Sequence, residues 1–308
     1  MKKSPKNWGR WGPDDEVGTL NFLSGRDIIR AVNCVKTGKV FSLGLPIGRK
    51  NGDLMDPGRT QTVHLMVQDG STYQVGKASP LAGGLRYSDD AVFMFLQGTT
   101  HVDALGHVWS GRKLYNGFED THTVGGLSKL SIEPMAKKGI VGRGVLLDIA
   151  RYKRVKHLAS GEPITLDDLQ GAAKGQGVQI QNHDAVLVRT GFVNIFYGEG
   201  PEHYPKDQNE PGIAYGEGLV EWFHEMEIST FGADTVSAEQ TISTTSDAMF
   251  PMHILLLNYL GIPIHELLWL EDLAADCERD GRYEFLYVCS PLKFVGGTAS
   301  PVNPLAIK

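Results

Sequence analysis

The densest group of metal-ligating and proton-transferring side chains lies in Phe95-Leu96-Gln97-Gly98-Thr99-Thr100-His101-Val102-Asp103-Ala104-Leu105-Gly106-His107. In an extended chain alternate side chains point the same way, so Gln97, Thr99, His101 and Asp103 share one face. A histidine and a carboxylate at i and i+2 then converge on a single ion. Nitrogen and oxygen donors suit a divalent zinc or manganese ion, and the lack of thiolates here argues against iron-sulfur or Cu(I) chemistry. His107 follows the small-residue turn Ala104 to Gly106 and is placed to swing back over the same site. An imidazole, with an ordinary pKa near ~6.5, both accepts and returns a proton at neutral pH. The plainer reading of any one of these histidines is a satisfied core side chain. Three such groups packed between His101 and His107, directly after an apolar run, weigh against it.

The segment resembles the motif of the metal-dependent cyclase-like hydrolases, the family of bacterial kynurenine formamidase and isatin hydrolase, which reads His-x-Gly-Thr-His-x-Asp-x-Pro-x-His. Thr100, His101, Asp103 and His107 fall on its Thr, second His, Asp and last His, while Gln97, Thr99 and Leu105 replace its first His, Gly and Pro. Either Gln97 supplies a weaker oxygen ligand, or the site holds fewer ions than the two-metal members; a single ion is the expectation adopted. The resemblance extends from Trp8–Asn21 through Gly139–Asp148 and Asp184–Gly191 to the C-terminal segment, where the usual Asp before the closing Gly-Ser-Pro is missing. It places His253 and Glu266 on the family's later histidine and metal-binding glutamate. It therefore implies a metal set of His101, Asp103, His253, Glu266 and Gln97, with His107 as general acid/base and Mn2+ or Zn2+ as cofactor. The implied reaction is hydrolysis of a carbonyl C–N or C–O bond, in a cyclic amide, formamide or lactone, through metal-activated water. A swivelling β/β/α fold and a homo-oligomer, dimer or tetramer, are implied as well. The alternative from another class is a non-catalytic metal or small-acid binding protein that keeps the fold; His107 favours catalysis, because a binder needs no imidazole beyond its ligand set.

Other features have plainer readings. His265-Glu266-Leu267-Leu268-Trp269 is no His-Glu-x-x-His motif, and apart from the resemblance Glu266 reads as a surface acid at a strand end. Asp234 is either a support for a ligand or a turn former. Trp109, close after His107, is a candidate pocket wall. His64, His122, His157, His183, His203 and His224 have no partner pattern and default to structure. No Gly-x-Ser-x-Gly elbow, Walker loop or dinucleotide fingerprint occurs, which removes serine-nucleophile and nucleotide chemistries.

The elements that must position these groups show in the hydrophobic pattern. Ser24 with Asp27, and Thr165 with Asp168, are capping-box pairs that predict helices. The first helix is expected to bury Ile28, Ile29, Ala31, Val32 and Val35; a third is expected over Leu219, Trp222, Phe223 and Met226. β-rich runs occur at Val40–Leu45, Gln61–Val67, Ala91–Leu96, Val145–Ile149, Ala185–Arg189, Ile228–Gly232 and Tyr283–Val288. Many strands, few helices and no regular alternation predict a mixed α/β or α+β domain. An ordered entry loop over about residues 1–23 precedes it, and 51–60 and 197–217 read as surface loops beside a site or subunit contact. No linker divides the chain, so one domain over 1–308 is expected.

Composition bounds the partners. With 308 residues, 41% hydrophobic and 21% charged, and a net charge of −6, the chain is of ordinary globular type. No Lys/Arg run that would track a phosphate backbone is present, so no nucleic-acid partner is expected. No stretch approaches the roughly 20 apolar residues of a membrane span, and the basic start lacks the apolar core of a signal peptide. Cys34, Cys277 and Cys289 form no paired spacing. A cytoplasmic protein acting on a small-molecule carbonyl substrate is the expectation.

Overall fold

Both capping boxes form. In the computed structural model, which describes residues 4–308, the Ser24 amide donates to Asp27 Oδ2 at 3.0 Å and starts the helix Gly25–Val32. The Thr165 amide likewise donates to Asp168 Oδ2 at 2.8 Å at the head of Leu166–Gln176. The predicted third helix runs over Glu217–Glu225 and buries Leu219, Val220 and Phe223. One expectation fails. The first helix turns its apolar face outward, with Ile28, Ile29 and Val32 exposed and only Asp27 and Ala31 buried. Periodicity identified the helix but could not say which face meets the sheet.

Among the described residues thirteen strands follow in chain order: β1 (Val40–Ser42), β2 (Val63–Gln68), β3 (Asp89–Phe93), β4 (His101–Asp103), β5 (Ile140–Asp148), β6 (Pro163–Ile164), β7 (Ala185–Arg189), β8 (Gly212–Ile213), β9 (Thr230–Ala233), β10 (Ile264–Glu266), β11 (Glu284–Cys289), β12 (Ala299–Pro301) and β13 (Leu305–Ile307). Nine build one sheet in the order β1-β13-β11-β5-β7-β9-β10-β4-β12. Its centre, β5-β7-β9-β10, is parallel and both flanks are antiparallel. Of the parallel strands, β5 and β7 carry continuous apolar runs, Val145–Leu147 and Ala185–Val188, as strands buried on both faces do. Val145, Leu146, Leu147, Val186, Leu187, Val188 and Phe231 are fully buried, each contributing roughly 1.5–3 kcal/mol by removal from water. The class is mixed α/β, as expected.

The remaining strands form the small pair β6–β8 and the hairpin β2–β3, which stands apart from the main sheet. The expected entry loop begins at residues 1–3, outside the described residues. Its described part is stitched to the segment Ile254–Leu260, a π-helical turn: Asn7 donates its amide to Tyr259 O at 3.0 Å and Trp8 Nε1 donates to Asn258 O at 2.6 Å. No helix among the described residues is long and apolar enough to cross a membrane.

Candidate active site

The site is created by the register of two three-residue strands. β4 and β10 run antiparallel with Glu266 opposite His101 and His265 opposite Val102. Directly opposed residues project to the same side of a sheet, as do residues two apart on one strand. His101, Asp103 and Glu266 therefore share a face, while Val102 and His265 take the other, where the His265 ring packs against Tyr287 with centroids 5.7 Å apart. The segments Gln97–Asp103 and Ile264–Leu268 are buried throughout.

On the shared face, His101 Nε2 lies 3.1 Å from Glu266 Oε2 and 3.5 Å from Asp103 Oδ1. His253 Nε2 lies 3.0 Å from Glu266 Oε1 and 4.0 Å from Asp103 Oδ2. One ligand atom each from His101, Asp103 and Glu266 falls within 4.8 Å of the others. The outer nitrogens of both imidazoles are committed elsewhere: His101 Nδ1 sits 2.7 Å from Thr99 O, and His253 Nδ1 sits 2.5 Å from Glu239 Oε1. A carbonyl oxygen can only accept, so Nδ1 of His101 carries the proton and Nε2 presents its lone pair to two carboxylates.

Lone pairs facing carboxylate oxygens at such distances repel unless a positive charge sits between them. Two signs of that charge are visible. His101 Nε2 and both oxygens of Asp103 are buried without a hydrogen-bond partner, a costly condition that native interiors rarely leave uncompensated. Proton affinities are also displaced: burial opposes charge on His101, but Asp103 and Glu266 lift it to about 9. Burial likewise opposes charge on His253, and Glu239 and Glu266 overcome it. Against burial, the neighbouring histidines hold Asp103 and Glu266 ionised, below the usual carboxylate range. A dication meets the same electrostatic demand while leaving both imidazoles neutral, and the mixed His/carboxylate donors fit a zinc- or manganese-like ion.

His107 stands at the rim, its side chain 24% exposed and its Nε2 3.9 Å from Asp103 Oδ1. The turn that brings it there needs Gly106, whose amide donates to Leu130 O at 3.0 Å. A Cβ at that position would meet Leu127 Cδ1 at 2.9 Å and Leu130 O at 3.1 Å. Burial is the main cause that lowers the His107 pKa, opposed by the charge of Asp103, so the ring is neutral at pH 7 and able to take a proton. Gln97 does not face the carboxylates: its amide nitrogen lies 3.3 Å from His107 Nδ1 and 3.0 Å from Thr298 Oγ1.

Sequence reasoning missed Glu239. Its carboxylate is buried and accepts from the backbone amides of Met252 at 2.9 Å and His253 at 2.7 Å as well as facing the His253 ring. No spacing pattern marks it, because it comes from the loop after β9 and meets His253 only in the folded chain. A Cβ on Gly212 would lie 2.3 Å from the Glu239 carbonyl carbon, so this loop is held from beneath as well. Ala238, Phe250 and Leu267 have φ of 54°, 47° and 55°. These left-handed conformations are unfavourable for side chains with a Cβ, and each is adjacent in sequence to Glu239, to the turn Pro251–His253 or to Glu266. Asp234, by contrast, clamps a turn, accepting from the amides of Thr190 at 2.8 Å and Gly191 at 2.7 Å.

A cavity of about 280 Å³ opens over the group. Glu266, His253 and His107 form its floor, Val108, Trp109 and Phe250 line apolar wall, and Arg59 enters from the side. The volume is at the small end of ligand pockets.

The family model described as Putative cyclase matches residues 41–240 of the chain. Among solved structures, one described as a novel cyclase is 37% identical and superposes with a TM-score of 0.88, covering 99% of this chain and 100% of its own. Isatin hydrolase A from Ralstonia solanacearum is 19% identical with a TM-score of 0.63, over 87% of this chain and 91% of its own. The predicted metal-dependent hydrolase from Bacillus stearothermophilus is 19% identical with a TM-score of 0.52, over 88% and 98%. At such identities the last two are likenesses of fold. No curated protein matches the chain.

Proposed function

From the premise that the chain belongs to the Putative cyclase family, we propose that it is a metal-dependent hydrolase of a carbonyl C–N or C–O bond in a small molecule. One observation carries the reading: three buried ligand side chains converge within 4.8 Å, and His101 Nε2 and both Asp103 oxygens among them lack any hydrogen-bond partner. The names printed for the isatin hydrolase and the metal-dependent hydrolase of like fold support the same reaction class.

In this reading His101, Asp103 and Glu266 hold one divalent ion, Mn2+ or Zn2+, with His253 beside them. When bound, the ion supplies Lewis acidity, acidifying water and polarising a carbonyl. The chain's own residues do the rest. Thr99 O and Glu239 fix the ring orientation of His101 and His253, the carboxylate-to-histidine support that metal sites commonly use. His107 lines the cavity, with Nε2 3.9 Å from Asp103 Oδ1, and acts as the proton acceptor. The Gln97 amide nitrogen, 3.3 Å from His107 Nδ1, holds the orientation of the ring. Once His107 is protonated, it returns the proton to the leaving nitrogen or oxygen. Gln97 thus serves as a positioning residue for His107.

Purified protein assayed for metal content and offered formamides, lactams and lactones tests the proposal. Stoichiometric metal and turnover of at least one class is expected. Bound metal with turnover of none would favour the binding-protein alternative.

We also propose that the chain is a homo-oligomer that covers the β2–β3 hairpin. Leu65 and Phe93 share one face of this ribbon with Val63 and are 59% and 67% exposed, while Met66 and Val92 are exposed on the other. An isolated two-stranded ribbon is at best marginally stable in water, and a contiguous apolar surface of this kind marks a contact.

A further inference from the structure

The cavity contains a cation that the proposed hydrolytic chemistry does not use. Arg59 is aimed inward by the turn Asp56-Pro57-Gly58-Arg59, in which Asp56 Oδ1 accepts the Gly58 amide at 2.8 Å and the Arg59 amide donates to Asp56 O at 3.0 Å. Its Nη1 donates to the Gln97 carbonyl at 2.7 Å. That bond ties the guanidinium to the residue whose side chain contacts His107. Among the described residues no carboxylate lies within ion-pair distance of Arg59, whereas Arg143 and Arg189 are each paired with acids. Asp56 also lines the cavity without pairing with it.

A guanidinium anchored through one amino group keeps further N–H donors in a planar fork, the geometry that binds a carboxylate through two bonds. Arg59 is the guanidinium in the cavity lining and, among the described residues, forms no ion pair, with the apolar side chains of Val108, Trp109 and Phe250 in the same lining.

Resting on the hydrolase reading above, we infer that the substrates are anionic: carbonyl compounds in which an apolar, aromatic-sized body carries a carboxylate, with Arg59 as the residue that selects it. Selection acts on binding, so it appears in KM more than in kcat.

The test compares phenylacetate with phenylacetamide, which match in shape and differ in charge. Binding is measured by calorimetry on the wild-type protein with its metal and after chelation. Phenylacetate is expected to bind at least tenfold more tightly than phenylacetamide in both states. Arg59→Gln, which keeps a donor for the Gln97 carbonyl but removes the charge, should abolish that preference. Arg59→Lys should retain part of it, because an ammonium lacks the fork. Circular dichroism and metal content should be unchanged in both variants. A preference that persists in Arg59→Gln, or that disappears on chelation of the wild type, would place the anion on the metal and overturn the inference. Equal binding of the two compounds by the wild type would overturn it as well. Retained anion preference in a protein that hydrolyses no carbonyl substrate would instead defeat the hydrolase reading and leave Arg59 as an anion site.

Discussion

Two short antiparallel strand pairs in this molecule invert the usual rule of burial in opposite directions. β4 and β10 place His101, Asp103 and Glu266 where almost no solvent reaches them. β2 and β3 hold Val63, Leu65, Val67, Val92 and Phe93 in the open. Each inversion costs free energy in the chain alone: ionisable groups lose water without full hydrogen bonding, and apolar side chains keep water that they would otherwise shed. In the function proposed above each is relieved from outside the chain, the first by a cation and the second by another copy of the protein. The hairpin's own polar contact shows how little holds it: His64 Nε2 lies 2.6 Å from Asp90 Oδ2, and both side chains are more than half exposed, so the contact contributes at most about 1 kcal/mol.

The sharpest way to break the buried pair is Asp103→Asn. It replaces an anionic ligand by a neutral amide, so metal content measured by elemental analysis should fall to near zero and activity with it, while the hairpin is untouched. Full metal occupancy in that variant would remove Asp103 from the ligand set.

His107→Ala should separate holding the ion from using it. With His101, Asp103 and Glu266 intact, metal content should stay close to that of the wild type. The rate should drop by roughly 10²- to 10⁴-fold, the usual contribution of a positioned proton-transfer group. Loss of the metal would make His107 a ligand, and an unchanged rate would move the proton route elsewhere.

The smallest effect on chemistry is expected from the exposed pair. Leu65→Lys combined with Phe93→Glu should convert the oligomer to monomers in sedimentation analysis and leave metal content within about twofold. A monomeric wild type would show that the hairpin stands free. Metal loss in the double variant would show that the two regions are coupled.

The sequence by itself determined the local elements and half of the centre. Capping boxes at Ser24 and Thr165 specify helix starts because the reciprocal bonds involve residues three apart, and the motif from Gln97 to His107 is legible because strand alternation sets His101 and Asp103 on one face. Resemblance to a family pattern added His253 and Glu266. What the tertiary structure decided is everything that depends on contact between distant segments. Six of the seven strands of two or three residues, at 101–103, 163–164, 212–213, 264–266, 299–301 and 305–307, carry too little pattern to be seen alone and exist because sheet pairing completes them. Glu266 faces His101 through cross-strand register, which no spacing within either segment encodes. The resemblance implies Gln97 as a candidate ligand in place of the family's first His, but in the fold its amide reaches His107 and Thr298. Periodicity specified the helix Gly25–Val32, yet Ile28, Ile29 and Val32 point away from the sheet. Short-range order follows from backbone geometry, which is local. Burial and pairing follow from competition among all surfaces of the chain for the same interior, and that competition is resolved only when the whole chain has folded.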